Sequence, residues 1–368
     1  MSKILIDARE YKTTTGRYIE RLIHYLQEID HENNYLILLK PKDMDSFVPT
    51  NNKFVAVPCP YKEFTFREQI SLLRQINELK PDLVHFGMVQ QPIAYRGKVV
   101  TTMLDLTTVR FRNPAKNWLV FTLKRYVYIW VNRIVANKSI EVIVPSEFVK
   151  EDIAKFTRIN SRKIDVIYLG ADKIKDSPEP IEELLDKPFI MYTGRPLPHK
   201  NLERLIAAFS IMKKDYPDLV LVLAGKRDSN YKKIRRDVKA SGQVDVIFPG
   251  FVSEGQLRWL YENCRAYIFP SLSEGFGLPG LEAMVHGAPV VSSSYTCLPE
   301  IYGNAAEYFD PQDETDMAKV ILSVIKSDSK RKKLIEQGHA QARKYSWRKM
   351  AEETLEIYKN AISGNSLK

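Results

Sequence analysis

The sequence predicts an α/β protein built from two doubly wound, parallel-sheet domains. Short apolar runs of strand length alternate with helix-length patterns over most of the chain. The alternation breaks once, over residues 170–187, where Pro178, Pro180 and six acidic residues interrupt it, and then it restarts. A length of 368 residues suits about two domains. The expected division is therefore residues 1–170, a linker at 171–187, a second domain at 188–346 and a last helix over 347–368.

In the first domain, strands are expected at Lys3–Ala8, Tyr35–Leu39, Phe54–Val57, Asp82–Phe86, Val99–Leu104, Glu141–Val144 and Ile164–Tyr168. Helices are expected between them at Gly16–Glu28, Phe66–Leu79, Asn117–Ala136 and Ser146–Phe156. In the second, Phe189–Thr193, Leu219–Ala224, Val246–Phe248, Ala266–Phe269, Pro289–Ser292 and Ala306–Phe309 read as strands. Asn201–Lys214, Tyr231–Ala240, Ser253–Asn263 and Pro279–His286 read as helices, with three more toward the C-terminus ending in Trp347–Ile362. Paired domains of this kind bind ligands at the carboxyl ends of their strands, in the cleft between them.

Composition narrows the classes. With 44% hydrophobic and 27% charged residues the chain is that of an ordinary soluble protein. Cys59, Cys264 and Cys297 are odd in number and far apart, which fits reduced thiols and a cytoplasmic setting better than a disulfide framework. The N-terminus reaches Asp7 at once and does not read as a secretory leader. Lys124, Arg125 and Arg133 interrupt the apolar stretch Trp118–Ala136, which falls short of the ~18 apolar residues of a spanning helix. The net charge of +10 is uneven, for residues 51–150 carry 15 Lys/Arg against 7 Asp/Glu. Such a surface meets anions, among which acidic lipid suits the accompanying aromatics, so a peripheral position on the membrane's inner face is one expectation. The helical stretch Trp118–Arg133 leaves two readings open: a core helix, or a surface helix touching lipid headgroups.

The segment Ser271–Val291 is the most informative. Glu274 and Glu282 stand eight positions apart, with three glycines and Pro279 between them. Proline is favoured in the first turn of a helix, so a helix is expected to open near Pro279. Glu274 then lies on a glycine-rich loop that a ligand approaches closely, and Glu282 in the first helical turn near free amides. This arrangement suits a polyhydroxyl ligand that also carries phosphate. The same residues, Gly275 to Gly280 with Glu300 twenty positions on, also fit the spacing of a dinucleotide-binding fingerprint. Against that second reading stand the late position of the motif and an acidic residue beside the expected pyrophosphate.

The Glu-x7-Glu segment resembles the signature of glycosyltransferase family four, the group 1 retaining enzymes of the GT-B fold. The resemblance implies that Glu274 and the backbone of Gly275, Phe276, Gly277 and Leu278 contact a donor sugar, and that Glu282 binds the ribose of its nucleotide. It assigns Arg195 and Lys200, in the loop Gly194–Asn201, to the donor diphosphate, with Gly194 at the head of that loop. Arginine grips two phosphate oxygens and lysine adds a point charge. Thr13–Tyr18 resembles the family's glycine-rich loop at Gly16, Arg17 and Tyr18, but has Thr14 and Thr15 where small residues are usual. Many relatives carry a His-Asp pair where this chain has Leu104 and Asp105, which bears on which sugar is held. His85, at the end of an expected strand, is a further candidate for the acceptor or sugar side.

No metal-ligand spacing stands out, and the one Asp-x-Asp, Asp43 to Asp45, falls in an expected surface turn. The expectation is a metal-independent hexosyltransferase without a cofactor, whose partners are a nucleotide sugar and a glycan or lipid-linked acceptor, not nucleic acid. Two alternatives remain at this level: a weakly catalytic sugar- or lipid-binding relative, and a nicotinamide-dependent oxidoreductase.

Overall fold

The computed structural model describes residues 1–13, 16–111 and 118–364, without the side chains of residues 118–121, 123 and 124. The expectations for Thr14 and Thr15, and for the helix start at Asn117, therefore fall outside the described residues. The chain forms two compact units. The first comprises Met1–Val109, Trp118–Gly170 and the chain from Ser346; the second comprises Ala171–Tyr345 together with Arg110 and Phe111. Those last two residues depart from the simple boundary at 170, and the Phe111 ring lies 5.8 Å from that of His199.

In the first unit β1 (Lys3–Asp7), β2 (Asn34–Leu39), β3 (Phe54–Pro58), β4 (Leu83–Phe86), β5 (Val99–Thr102), β6 (Glu141–Val144) and β7 (Ile164–Val166) make one sheet in the order β3-β2-β1-β4-β5-β6-β7. Every pairing is parallel. Both faces are covered, and β4 and β5 are buried along their whole length, as near-continuous apolar strands require. The helix Trp347–Ser363 belongs to this unit and packs on the helix Arg17–Ile29, where Arg348 reaches Glu28 at 3.0 Å.

The second unit holds β8 (Phe189–Thr193), β9 (Val220–Ala224), β10 (Val246–Gly250), β11 (Ala266–Phe269), β12 (Val290–Ser293) and β13 (Ala306–Phe309), again all parallel, in the order β10-β9-β8-β11-β12-β13. In both sheets the first strand stands between the second and the fourth, which is the doubly wound order.

Two local departures bear on the site. The helix expected from Pro279 starts one residue earlier, as Leu278–Val285, because Gly277 at φ 91° supplies the left-handed turn that lets it begin. Glu282 consequently lies in the second helical turn, not the first. The helix expected over Phe66–Leu79 opens as a π-turn at Glu68–Leu72 before the α-helix Leu73–Leu79. Its first residue is pulled inward by Arg9, as described below.

Candidate functional site

The chain leaves β8 for β9 on one side and later returns to β11 on the other, so the loops after β8 and β11 diverge and leave a crevice at the strands' carboxyl ends. Both charged motifs stand there. The loop after β8 carries Gly194, Arg195 and Lys200, and the loop after β11 carries Glu274 to Gly277. They are tied together, since the Leu272 N–H donates to the His199 carbonyl at 2.7 Å. The Asn201 amide donates to the carbonyls of Pro270 at 3.1 Å and Pro311 at 2.7 Å. Asn201 adopts φ 60°, a left-handed conformation that asparagine tolerates better than most residues. Sequence reasoning missed this buried residue; its signal was an Asn placed directly ahead of the helix Leu202–Met212.

Lys200 Nζ lies 2.6 Å from Glu274 Oε1, with the two side chains 17% and 13% exposed. The ammonium also sits 5.7 Å from the centre of the Phe269 ring. An ammonium has three N–H groups and a carboxylate about four acceptor sites, so this one contact leaves both with capacity for a ligand. Arg195 stands apart from the pair. Its side chain is 51% exposed and meets Asp228 at 3.4 Å, long for a hydrogen bond. Asp228 itself caps the helix Ser229–Ala240 by accepting the Tyr231 N–H at 3.0 Å. Burial, then the Lys200 charge, pushes His199 down to about 4, which keeps it neutral at neutral pH.

The glycine loop rests on a tyrosine floor. The Tyr302 hydroxyl donates to the Gly277 carbonyl at 2.5 Å, and a Cβ on Gly280 would come within 2.2 Å of that hydroxyl. Glu274 is held from the loop after β12: its N–H donates to Thr296 Oγ1 at 3.3 Å, and its carbonyl accepts the Cys297 thiol at 3.4 Å. Burial raises the Cys297 thiol well above its ordinary range, so it remains a donor. Phe276 turns its ring inward, edge-on to Tyr345 at 5.5 Å. Leu278 is half-buried at the helix start, and Glu282 is buried beneath it. The Gly194 N–H completes the β8–β9 pairing by donating to the Ala224 carbonyl at 3.0 Å. Because β11 ends at Phe269, with five residues between it and Gly275, the glycines do not follow the strand directly as a dinucleotide fingerprint requires.

The candidates in the first unit are dispersed. A Cβ on Gly16 would collide with the Glu10 carbonyl at 1.6 Å, so glycine closes that turn, and its N–H is already donated to the Thr13 carbonyl at 3.1 Å. His85, a sequence candidate for the acceptor or sugar side, is fully buried. Its Nδ1 meets the Tyr358 hydroxyl at 2.5 Å and its Nε2 meets Thr102 Oγ1 at 2.8 Å, while Tyr18 contacts the same Thr102 oxygen at 2.9 Å. Desolvation lowers the His85 pKa to about 3. It is a neutral internal tie between strands and the C-terminal helix. Leu104 and Asp105 lie past the end of β5, and Asp105 accepts the Thr107 N–H at 2.8 Å to cap the short helix Thr107–Arg110.

One cluster at the carboxyl end of β1 had no sequence signal beyond the residues themselves. Arg9 is fully buried and reaches Asp7 and Glu68, each at 2.7 Å, and the Gln90 carbonyl at 2.7 Å. Burial opposes its charge, but the two carboxylates outweigh that and raise its pKa further. Among the described residues no group of three or more His, Cys, Asp or Glu could hold a metal ion.

Comparison with known proteins reports on the chain as a whole. Residues 173–341 match the family model "Glycosyl transferases group 1", and residues 15–173 match "Glycosyltransferase Family 4". The chain is 31% identical over 234 residues to O-antigen chain mannosyltransferase B of Escherichia coli, covering 59% of this chain and 60% of that protein. It is 33% identical over 236 residues to the serotype-specific mannosyltransferase WbdA of the same species, covering 60% of this chain and 29% of WbdA. The chain thus spans less than two thirds of either relative. A sucrose-phosphate synthase from Thermosynechococcus elongatus superposes with a TM-score of 0.78 at 18% identity, over 99% of this chain and 100% of that one.

Proposed function

The chain belongs to the group 1 glycosyltransferases of family four and has their GT-B fold, and from that premise we propose that it moves a hexosyl unit from a nucleotide diphosphate sugar to a hydroxyl of a glycan or lipid-linked acceptor, with retention at the anomeric carbon. A mannosyl donor is the first choice, because the relatives named above are mannosyltransferases. The observation that carries the reading is the Lys200–Glu274 pair at the β8/β11 switch point, ahead of a glycine loop and a helix start.

In this reading Lys200 neutralises the diphosphate, with Arg195 swinging in from Asp228 to grip it, and Glu274 accepts hydrogen bonds from sugar hydroxyls. Glu282 takes the ribose hydroxyls. The acceptor oxygen bonds to the anomeric carbon on the face from which the diphosphate departs, and the acceptor's proton passes to the departing phosphate oxygen. No protein nucleophile and no metal is needed in that scheme. Charge grows on the diphosphate as its bond breaks, so Lys200 stabilises the transition state more than the bound donor.

A panel of guanosine, uridine and other nucleotide diphosphate sugars, screened by thermal shift, tests this. A true donor at 100 times its dissociation constant should stabilise the chain by about 2.7 kcal/mol. Glu282→Ala should abolish that shift. A panel without any stabilising member, together with none for the free nucleotides, would sink the proposal.

A further inference from the structure

We infer that Thr296, on the loop after β12, is a positioning residue for Glu274, whose carboxylate it aims at the donor sugar. The inference deepens the reading above and rests on it. Thr296 adopts φ 58°, and among the described residues it is the one β-branched side chain on a left-handed backbone. Two heavy atoms on Cβ crowd the flanking peptides there, so glycine is the usual residue for such a turn and threonine a strained one. Strain of this kind persists only where the surroundings hold it, and it gathers at functional sites. Asn201, across the crevice, is also left-handed, but asparagine tolerates that conformation. Thr296 needs a reason of its own.

Its side chain supplies one. Thr296 Oγ1 accepts the Glu274 N–H at 3.3 Å, and the next residue, Cys297, donates its thiol to the Glu274 carbonyl at 3.4 Å. Both peptide groups that flank the Glu274 Cα are therefore held by two consecutive residues. That sets the direction of the Cα–Cβ bond, and the carboxylate at its end meets Lys200 Nζ at 2.6 Å. The same segment fastens the other end of the glycine loop. Thr296 and Cys297 lead into the helix Leu298–Tyr302, whose Tyr302 hydroxyl donates to the Gly277 carbonyl at 2.5 Å. The helix is anchored in turn, because the Ile301 carbonyl accepts the Gln341 amide at 2.7 Å and the Tyr345 hydroxyl at 2.9 Å. Residues 274–277 are thus spanned by one short frame, gripped at Glu274 by the strained threonine and at Gly277 by a tyrosine.

A turn with no task beyond turning would be better served by glycine, which fits this φ without strain but has no hydroxyl. Threonine accepts the strain for a hydrogen bond, and that bond orients the carboxylate assigned to the sugar. Groups in such a site must be held within about 0.5 Å of the productive geometry, and a displacement of about 1 Å costs up to ~100-fold in rate.

Three substitutions separate the hydroxyl from the turn. Thr296→Val keeps the shape and loses the hydroxyl, Thr296→Ser keeps the hydroxyl, and Thr296→Gly relieves the strain without it. With the donor selected by the panel above, guanosine diphosphate mannose being the first tried, kcat should fall roughly 10- to 100-fold in Thr296→Val and Thr296→Gly. Thr296→Ser should stay near the wild-type rate. The dissociation constant of the free nucleoside diphosphate should hold in all three, since other residues are assigned to its phosphates and ribose. Thr296→Gly should melt higher than Thr296→Val and yet be as slow, which a merely structural role would not produce. Hydrogen exchange of the Glu274 amide, followed without ligand, should quicken about fivefold in Thr296→Val and not in Thr296→Ser. A wild-type kcat in Thr296→Val or Thr296→Gly, or unchanged exchange at Glu274 in Thr296→Val, would overturn the inference. If the wild-type chain turns over no nucleotide sugar, the donor reading fails instead, and the exchange measurement alone decides whether Thr296 holds Glu274.

Discussion

Two sheets of the same strand order end in carboxyl edges that keep their charge in different places. At the first, Asp7, Arg9 and Glu68 are sealed inside, each at most 2% exposed, and His85 is buried among hydroxyls. At the second, Lys200 and Glu274 stay partly open and Arg195 lies half in solvent. The topology offers a crevice in both units; burial decides whether the charges there hold the fold together or remain available to a ligand. A sealed cluster is answerable to stability, an open pair to chemistry, and substitutions should separate the two.

The largest effect is expected at the sealed edge. Arg9→Ala strands two buried carboxylates, and breaking such a buried pair costs about 3–5 kcal/mol. Urea unfolding should report that loss. Removing all three charges together, as Arg9→Met with Asp7→Leu and Glu68→Leu, should restore part of it, because no charge is then left unpaired. If Arg9→Ala kept full stability, the cluster would not be what binds this edge together.

At the open edge Lys200→Ala should leave the melting temperature nearly unchanged and lower turnover ~100- to 1000-fold, as loss of one group aimed at developing charge typically does. Arg195→Ala should cost less, roughly 10- to 100-fold, since a single hydrogen bond to a charged group is worth about 1.5–3 kcal/mol. Steady-state rates with saturating donor measure both. A variant of Lys200 that unfolds instead would move this pair into the sealed class.

Both edges hold a neutral histidine, and the pH dependence of stability reports on it. His85 has a folded pKa of about 3, against an unfolded value near 6.5. Between those values the unfolded chain binds one more proton, so stability rises with pH through the window by about 1.4 kcal/mol per unit. It is complete above the unfolded pKa and is lost as pH falls below it. His199, also lowered, contributes with the same sign. The difference in unfolding free energy between pH 7 and pH 5 should therefore shrink in His85→Gln. An unchanged difference would mean that His85 is not held neutral.

What the sequence revealed follows the same division. The thirteen strands among the described residues were legible, because most of them are buried along their length and so read as short apolar runs. Lys200 and Glu274 were legible as motifs, each from its own neighbours, although their contact spans 74 residues. The tie of His85 to Tyr358 spans 273 residues and was not, since a partner that far away leaves no local mark. The π-turn at Glu68 was missed for the same reason, as its cause is Arg9 on another element. The register of Glu282 was missed by one residue, enough to move it into the second turn, because the helix start depends on the φ of Gly277, which proline placement alone does not fix.

The smallest effect tests a residue that belongs to neither class. Leu104 lies half-buried on the loop after β5, beside Asp105, whose carboxylate already caps the next helix. Many members of the family have histidine in this position, and the resemblance implies that the residue there bears on which sugar is held. An apolar side chain there offers no hydrogen bond to a sugar hydroxyl, and one net hydrogen bond is worth about 1 kcal/mol. Leu104→His should therefore shift the ratio of kcat/KM between two donors that differ at one hydroxyl by roughly fivefold, with little change in stability because the side chain is not part of a sealed core. The measurement is a pairwise donor competition, with urea unfolding as the control. If the ratio holds constant while stability falls, Leu104 is packing and not part of the sugar pocket, and the first unit's edge then contributes structure alone at every position tested.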